Sequence, residues 1–100
     1  MQYLVIAYDN EDALERRLES RDAHIQGARK LMAEGKIVNA GALIEDEKMV
    51  GSTLLIDFEN EDEIDQWLEN EPYVQNNVWN MDEFRIVPVK LLPKTNYLIK

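Results

Sequence analysis

Residues Tyr3 to Asp9, YLVIAYD, alternate without a polar face: Leu4, Ile6 and Tyr8 lie on one side, Tyr3, Val5 and Ala7 on the other. Such a segment is a strand covered on both sides. From Glu11 to Glu34 the period becomes helical, and Leu14, Leu18, Ile25, Ala28 and Met32 fall on one stripe. Gly35 is a natural stop. At about 100° per residue, Arg21 lies near the centre of this stripe, with Arg17 and His24 toward one edge. A continuous helix therefore points Arg21 at the core. The alternative is a break after Glu19, with Ser20 capping a second helix that faces differently. A buried guanidinium needs a partner in either case.

Lys36 to Ile44 reads as a second strand, EDEK as a turn, and Met49 to Phe58 as a returning strand in which Leu54, Ile56 and Phe58 alternate with Thr53 and Asp57. Asn60 with Glu63 resembles a capping box opening a helix whose apolar face is Ile64, Trp67 and Leu68. Pro72 ends that helix. A last strand covers Glu83 to Lys90, where Pro88 indicates an edge position or a bulge. The order strand, helix, strand, strand, helix, strand predicts an α+β fold: a ferredoxin-like βαββαβ sandwich with an antiparallel sheet. One domain is expected over residues 1–100, with a core at about 3–90 and a tail at 91–100 carrying Leu91, Leu92, Tyr97, Leu98 and Ile99. Both helices cover one sheet face. The other, with Val5, Leu55 and Val87 or their alternates, calls for a second copy of the chain.

The 20 acidic residues against 11 basic ones give a net charge of −9. Phosphate backbones and anionic membranes are repelled at long range, so neither nucleic acid nor membrane is an expected partner. A local cluster such as Arg16, Arg17 and Arg21 still allows a positive pocket. With no cysteine, thiolate chemistry and disulfides are excluded. The N-terminus has no basic leader, and a cytoplasmic location is expected. The acidic stretch ENEDEIDQWLENE is a solvated helix face rather than a metal site, because no second histidine or ion-loop spacing accompanies it. No metal and no cofactor are expected.

Five segments stand in a telling order: RDAH (residues 21–24), EGKIVNAGAL with Gly41, GSTLLIDFEN with Gly51 and Ser52, WLENEPYV with Trp67, Pro72 and Tyr73, and VWNMDEFRIVPV. Together they resemble the YciI-like, YCII-related family over about residues 3–90. The resemblance implies a dimeric α/β barrel, formed by two ferredoxin-like domains packed through their sheets. It further implies a site built on a histidine and an aspartate, with hydrolase-like or lyase-like chemistry. Related folds include muconolactone isomerases and cofactor-free oxygenases, and some similar proteins act in the breakdown of chlorinated aromatic compounds. His24 matches the family histidine, Arg21 the arginine before it, and Pro72-Tyr73 the DPY segment. Glu71 stands where that segment has aspartate, keeping the carboxylate on a longer arm.

The residues support such chemistry on their own terms. Histidine moves protons near neutral pH, and a carboxylate on one ring nitrogen leaves the other as the working base. Glu71 and Asp9 are the candidate orienting groups. Asp22, two residues from His24, does not share its helix face. Arg21 is placed to hold a substrate carboxylate in bidentate fashion or to donate to a phenolate. Ser52, with Tyr8 or Tyr73, offers hydroxyl hydrogen bonds, and Asp9 joins the substrate-binding set. Against these roles, Arg21 also suits a structural ion pair, Ser52 a strand position beside a glycine, and Trp67, Tyr73 and Trp79 core or dimer packing. The expectation is a homodimeric small-molecule enzyme of hydrolase, lyase or isomerase type using His24 and Glu71. A non-catalytic binding module and a partner subunit of a larger assembly are the alternatives.

Overall fold

The structure, a computed structural model, describes residues 1–92. The elements are β1 (Gln2–Tyr8), α1 (Leu14–Ala33), β2 (Ile37–Glu45), β3 (Lys48–Asp57), α2 (Glu61–Asn70), α3 (Pro72–Gln75) and β4 (Arg85–Val89), with a 3-10 turn at Met81–Glu83 before β4. One four-stranded sheet has the order β2-β3-β1-β4, and its pairings are antiparallel. This is the ferredoxin-like arrangement expected from the chain order. Pro88 sits on β4, an edge strand, where a residue without an N–H is tolerated. The tail residues Tyr97, Leu98 and Ile99 lie outside the described residues. Among the described residues, no helix is long and apolar enough to cross a membrane.

The local signals act as their chemistry requires. Gly35 takes φ +78° beyond α1, and Lys36 N–H reaches back to Leu31 at 2.8 Å, closing a Schellman-type stop. Asn60 accepts Glu63 N–H at 3.0 Å, while the Glu63 carboxylate reaches back to Glu59 N–H at 2.9 Å. Asp46 and Glu47 both have positive φ, giving the two-residue turn that matches strand twist between β2 and β3. Gly51 opposes Tyr8 in the β1–β3 ladder, and a Cβ there would stand 2.5 Å from the Ala7 carbonyl oxygen. Only glycine permits that approach.

Tyr3, Val5 and Ala7 point into the core, where they meet Leu54 and Ile56 of β3, Phe58, Ile64 and Trp67, and the Tyr73, Val78 and Trp79 segment. Burying each large side chain contributes about 1.5–3 kcal/mol. Val5 is therefore a core residue. Its alternates Leu4 and Ile6 take the opposite sheet face, alongside Leu55 and Val87.

Helix α1 departs most from its sequence pattern. It runs unbroken from Leu14 to Ala33, and Ser20 caps nothing; it is buried within the helix and accepts a hydrogen bond from Asn76 Nδ2 at 2.8 Å. Leu14 and Leu18 are 43% and 54% exposed, whereas Arg17 is 3% exposed. The helix is rotated so that Ala13, Arg17, Ser20, His24, Ala28 and Leu31 turn inward. Arg21 stays exposed. The charge driven into the interior is Arg17, because that is where the sheet offers partners for it.

Candidate functional site

Arg17 organises the inner end of the site. Its Nη1 meets both Asp9 carboxylate oxygens at 2.9 and 3.1 Å, and its Nη2 donates to Ser52 Oγ at 3.0 Å. The same hydroxyl oxygen accepts from Trp79 Nε1 at 3.0 Å. Trp79 is held there because residues 78–80 zip onto the end of β1: Asp9 bridges Trp79, Asn10 N–H reaches Val78 O, and Asn80 N–H reaches Tyr8 O. Burial pushes the Asp9 carboxyl above its ordinary range, and the Arg17 charge and hydrogen bonds pull it back. Arg17 Nε is buried without a partner among the described residues.

The second pair joins α1 to the start of α3. Pro72 takes the first helical position, and the Glu71 side chain caps the turn by accepting Tyr73 N–H at 3.0 Å. The same oxygen, Oε1, lies 2.7 Å from His24 Nδ1. A carboxylate only accepts, so the Nδ1 proton points at Glu71, and in the neutral imidazole Nε2 then presents a lone pair. Nε2 has no hydrogen bond among the described residues. The imidazole lies flat on the Tyr73 ring, centroids 3.9 Å apart and planes at 11°, with Trp79 edge-on at 5.9 Å. Arg17 sits 4.8 Å from the Tyr73 centroid. The Tyr73 hydroxyl is pushed up by burial, against the pull of Arg17 and Arg21.

Four of these groups, Arg17, His24, Ser52 and Tyr73, border a cavity of about 270 Å³ between α1 and the β2–β3 hairpin. Arg17, Arg21, His24, Ser52 and Tyr73 line one end, and Ile25, Met32, Met49 and Leu54 line the rest, with Arg29 also on the wall. Ala40, Gly41 and Ala42 keep β2 low and leave the space open. The sequence-predicted residues His24, Arg21, Ser52 and Tyr73 thus converge here, and Glu71 reaches the site only through its contact with His24, outside the cavity wall. Asp9 does not reach the cavity wall or His24, since Arg17 engages both its oxygens. Tyr8 projects from the opposite sheet face, 45% exposed. Of the positive cluster expected from sequence, Arg17 and Arg21 reach the cavity while Arg16 donates to the Asp12, Asn76 and Asn77 carbonyls; sequence reasoning missed Trp79 and Arg29 as site residues. Arg17 carried a usable signal, lying two helical turns before His24 and therefore on its face. Among the described residues, no group of three or more His, Asp or Glu side chains is placed to hold a metal ion.

The chain has known relatives. An uncharacterised protein from Haemophilus influenzae is 34% identical over 86 residues, covering 79% of this chain and 88% of that protein. The protein YciI of Escherichia coli is 31% identical over the same coverage. Among solved structures, 5-chloro-2-hydroxyhydroquinone dehydrochlorinase from Burkholderia phenoliruptrix, in complex with 2,5-dihydroxybenzoquinone, superposes with a TM-score of 0.78 at 25% identity, covering 90% of this chain and 94% of that one. The model of the YCII-related domain matches residues 1–90, and the chain belongs to that family.

Proposed function

We propose that this chain is an acid–base enzyme acting on a small hydroxylated or quinonoid ring, with His24 as the proton-transfer group and Glu71 as the carboxylate that orients it. The observation that carries this reading is the 2.7 Å His24–Glu71 contact at the wall of an open cavity. Glu71 is held from a second direction by Tyr73 N–H, and the imidazole is held flat by the Tyr73 ring, so the base is preorganised. Nε2 takes a hydroxyl or ring proton, and the cavity arginines stabilise the oxyanion that forms. Returning the proton to another ring atom is an isomerisation. Expelling a ring substituent with the electron pair is an elimination, as in the dehydrochlorinase named for the structural neighbour. The working form is a homodimer, in which a second copy covers Leu4, Ile6, Leu55 and Val87 on the open sheet face.

The test is chloride release from 5-chloro-2-hydroxyhydroquinone by the wild type and by His24→Gln. The expected result is turnover that falls by about 10²–10⁴-fold in the variant, while 2,5-dihydroxybenzoquinone still binds. Unchanged turnover in His24→Gln sinks the reading. A wild type that binds the quinone but converts no ring compound favours the non-catalytic binding module.

A further inference from the structure

The cavity wall holds Arg17, Arg21, Arg29 and His24 and, among the described residues, no carboxylate. This occurs in a chain with 20 acidic residues and only 11 basic ones. Asp9 neutralises Arg17, but Arg21 and Arg29 have no ion-pair partner among the described residues. Helix geometry offers them none. The positions three and four away hold Arg17, Leu18, His24 and Ile25 around Arg21, and Ile25, Gln26, Met32 and Ala33 around Arg29. The two arginines are eight positions apart on α1, which is about 12 Å of helix rise. Between them the wall is apolar, and the opposing strand is the small-residue run of β2.

We propose that the ligand class of this cavity is a small planar dianion, one aromatic or quinonoid ring with anionic groups at opposite ends. Arg21 clamps the end nearest His24, and Arg29 clamps the far end and determines specificity. This rests on reading the cavity as the ligand site and deepens it. A monoanion would match one guanidinium and leave the other facing the ligand's apolar edge. A volume of about 270 Å³ suits a single ring, since drug-sized ligands occupy larger pockets. The overall charge of −9 repels anions at a distance, so selection must come from these local pairs.

Calorimetric titration with terephthalate and benzoate tests the clamp in the wild type, Arg29→Met and Arg21→Met. Terephthalate is expected to bind about tenfold tighter than benzoate, the worth of one additional charge-assisted contact. Arg29→Met should erase that preference and leave benzoate affinity unchanged, and Arg21→Met should weaken both ligands. Equal wild-type affinities, binding of neither ligand, or an Arg29→Met variant that weakens both alike would overturn the proposal. His24→Gln separates the two readings. If the variant keeps the terephthalate preference and also keeps full turnover, the clamp stands and the catalytic role of His24 falls.

Discussion

Two buried acid–base pairs flank the cavity, and they are built differently. Arg17 and Asp9 have side chains 4% and 8% exposed, and Ser52 and Trp79 extend their hydrogen bonds. His24 and Glu71 are 13% and 5% exposed, share a single contact, and leave one imidazole nitrogen without a partner among the described residues. The first pair joins helix to sheet by a permanent charge, because arginine does not release its proton. The second holds a group whose proton can leave. The contrast teaches that burial of charge alone does not mark a reactive centre; what marks it is a titratable member with an unengaged atom at a cavity.

The comparison breaks most violently if the permanent pair is cut. Arg17→Met leaves the Asp9 carboxylate buried without its counter-charge, and the unfolding free energy should fall by about 3–5 kcal/mol in urea denaturation. Asp9→Asn should cost at least as much, because the Arg17 guanidinium it leaves without a counter-charge cannot shed its proton, whereas a stranded Asp9 carboxylate can take one up. Burial raises the folded Asp9 value above the ordinary one, so its contribution to stability is fully present below the ordinary value and is lost as pH rises through the folded one. A clearly smaller loss for Asp9→Asn than for Arg17→Met would mean that the guanidinium does not depend on Asp9 for its counter-charge.

At the second pair, Glu71→Ala removes the acceptor for Tyr73 N–H and should lower stability by about 1–2 kcal/mol, as for a lost helix cap. Glu71→Gln can keep one carbonyl oxygen accepting from both Tyr73 N–H and His24 Nδ1–H, since a single oxygen serves both contacts, but it removes the negative charge. The imidazole proton should then stay on Nδ1, read from the nitrogen chemical shifts of the sole histidine, while turnover falls because the neutral amide stabilises the imidazolium less. A glutamine variant with the proton still on Nδ1 and full turnover would reduce Glu71 to a helix cap.

The smallest effect belongs to the surface pair of Lys36 and Glu63, which serves as the reference for both buried pairs. The Lys36 hydrogen bond holds the Glu63 carboxyl below its ordinary value. Its contribution is therefore present above the ordinary glutamate range and is lost as pH falls through the folded value. Glu63→Gln should lower the Tm slightly at neutral pH and match the wild type in acid. A difference that persists in acid would show that the side chain acts through packing instead of charge.

Much of this protein was written locally. Alternation in YLVIAYD, the Asn60 cap, Gly35 and Pro88 specify strands, helix ends and an edge position through interactions within a few residues, and their order along the chain implies the sheet topology. His24 and Glu71 were identifiable by chemical type, and Gly51 by its place beside Ser52. The rotation of α1 was not identifiable. Residue spacing says which side chains share a helix face, but the choice of buried face depends on what the sheet presents. Here Asp9, Ser52 and Trp79, brought together from three distant segments, satisfy Arg17 and turn Leu14 and Leu18 outward. The apolar stripe around Arg21 consequently became, in its C-terminal half, a wall of the cavity. Periodicity is a property of one helix, whereas desolvating a guanidinium requires partners that only the assembled sheet can supply.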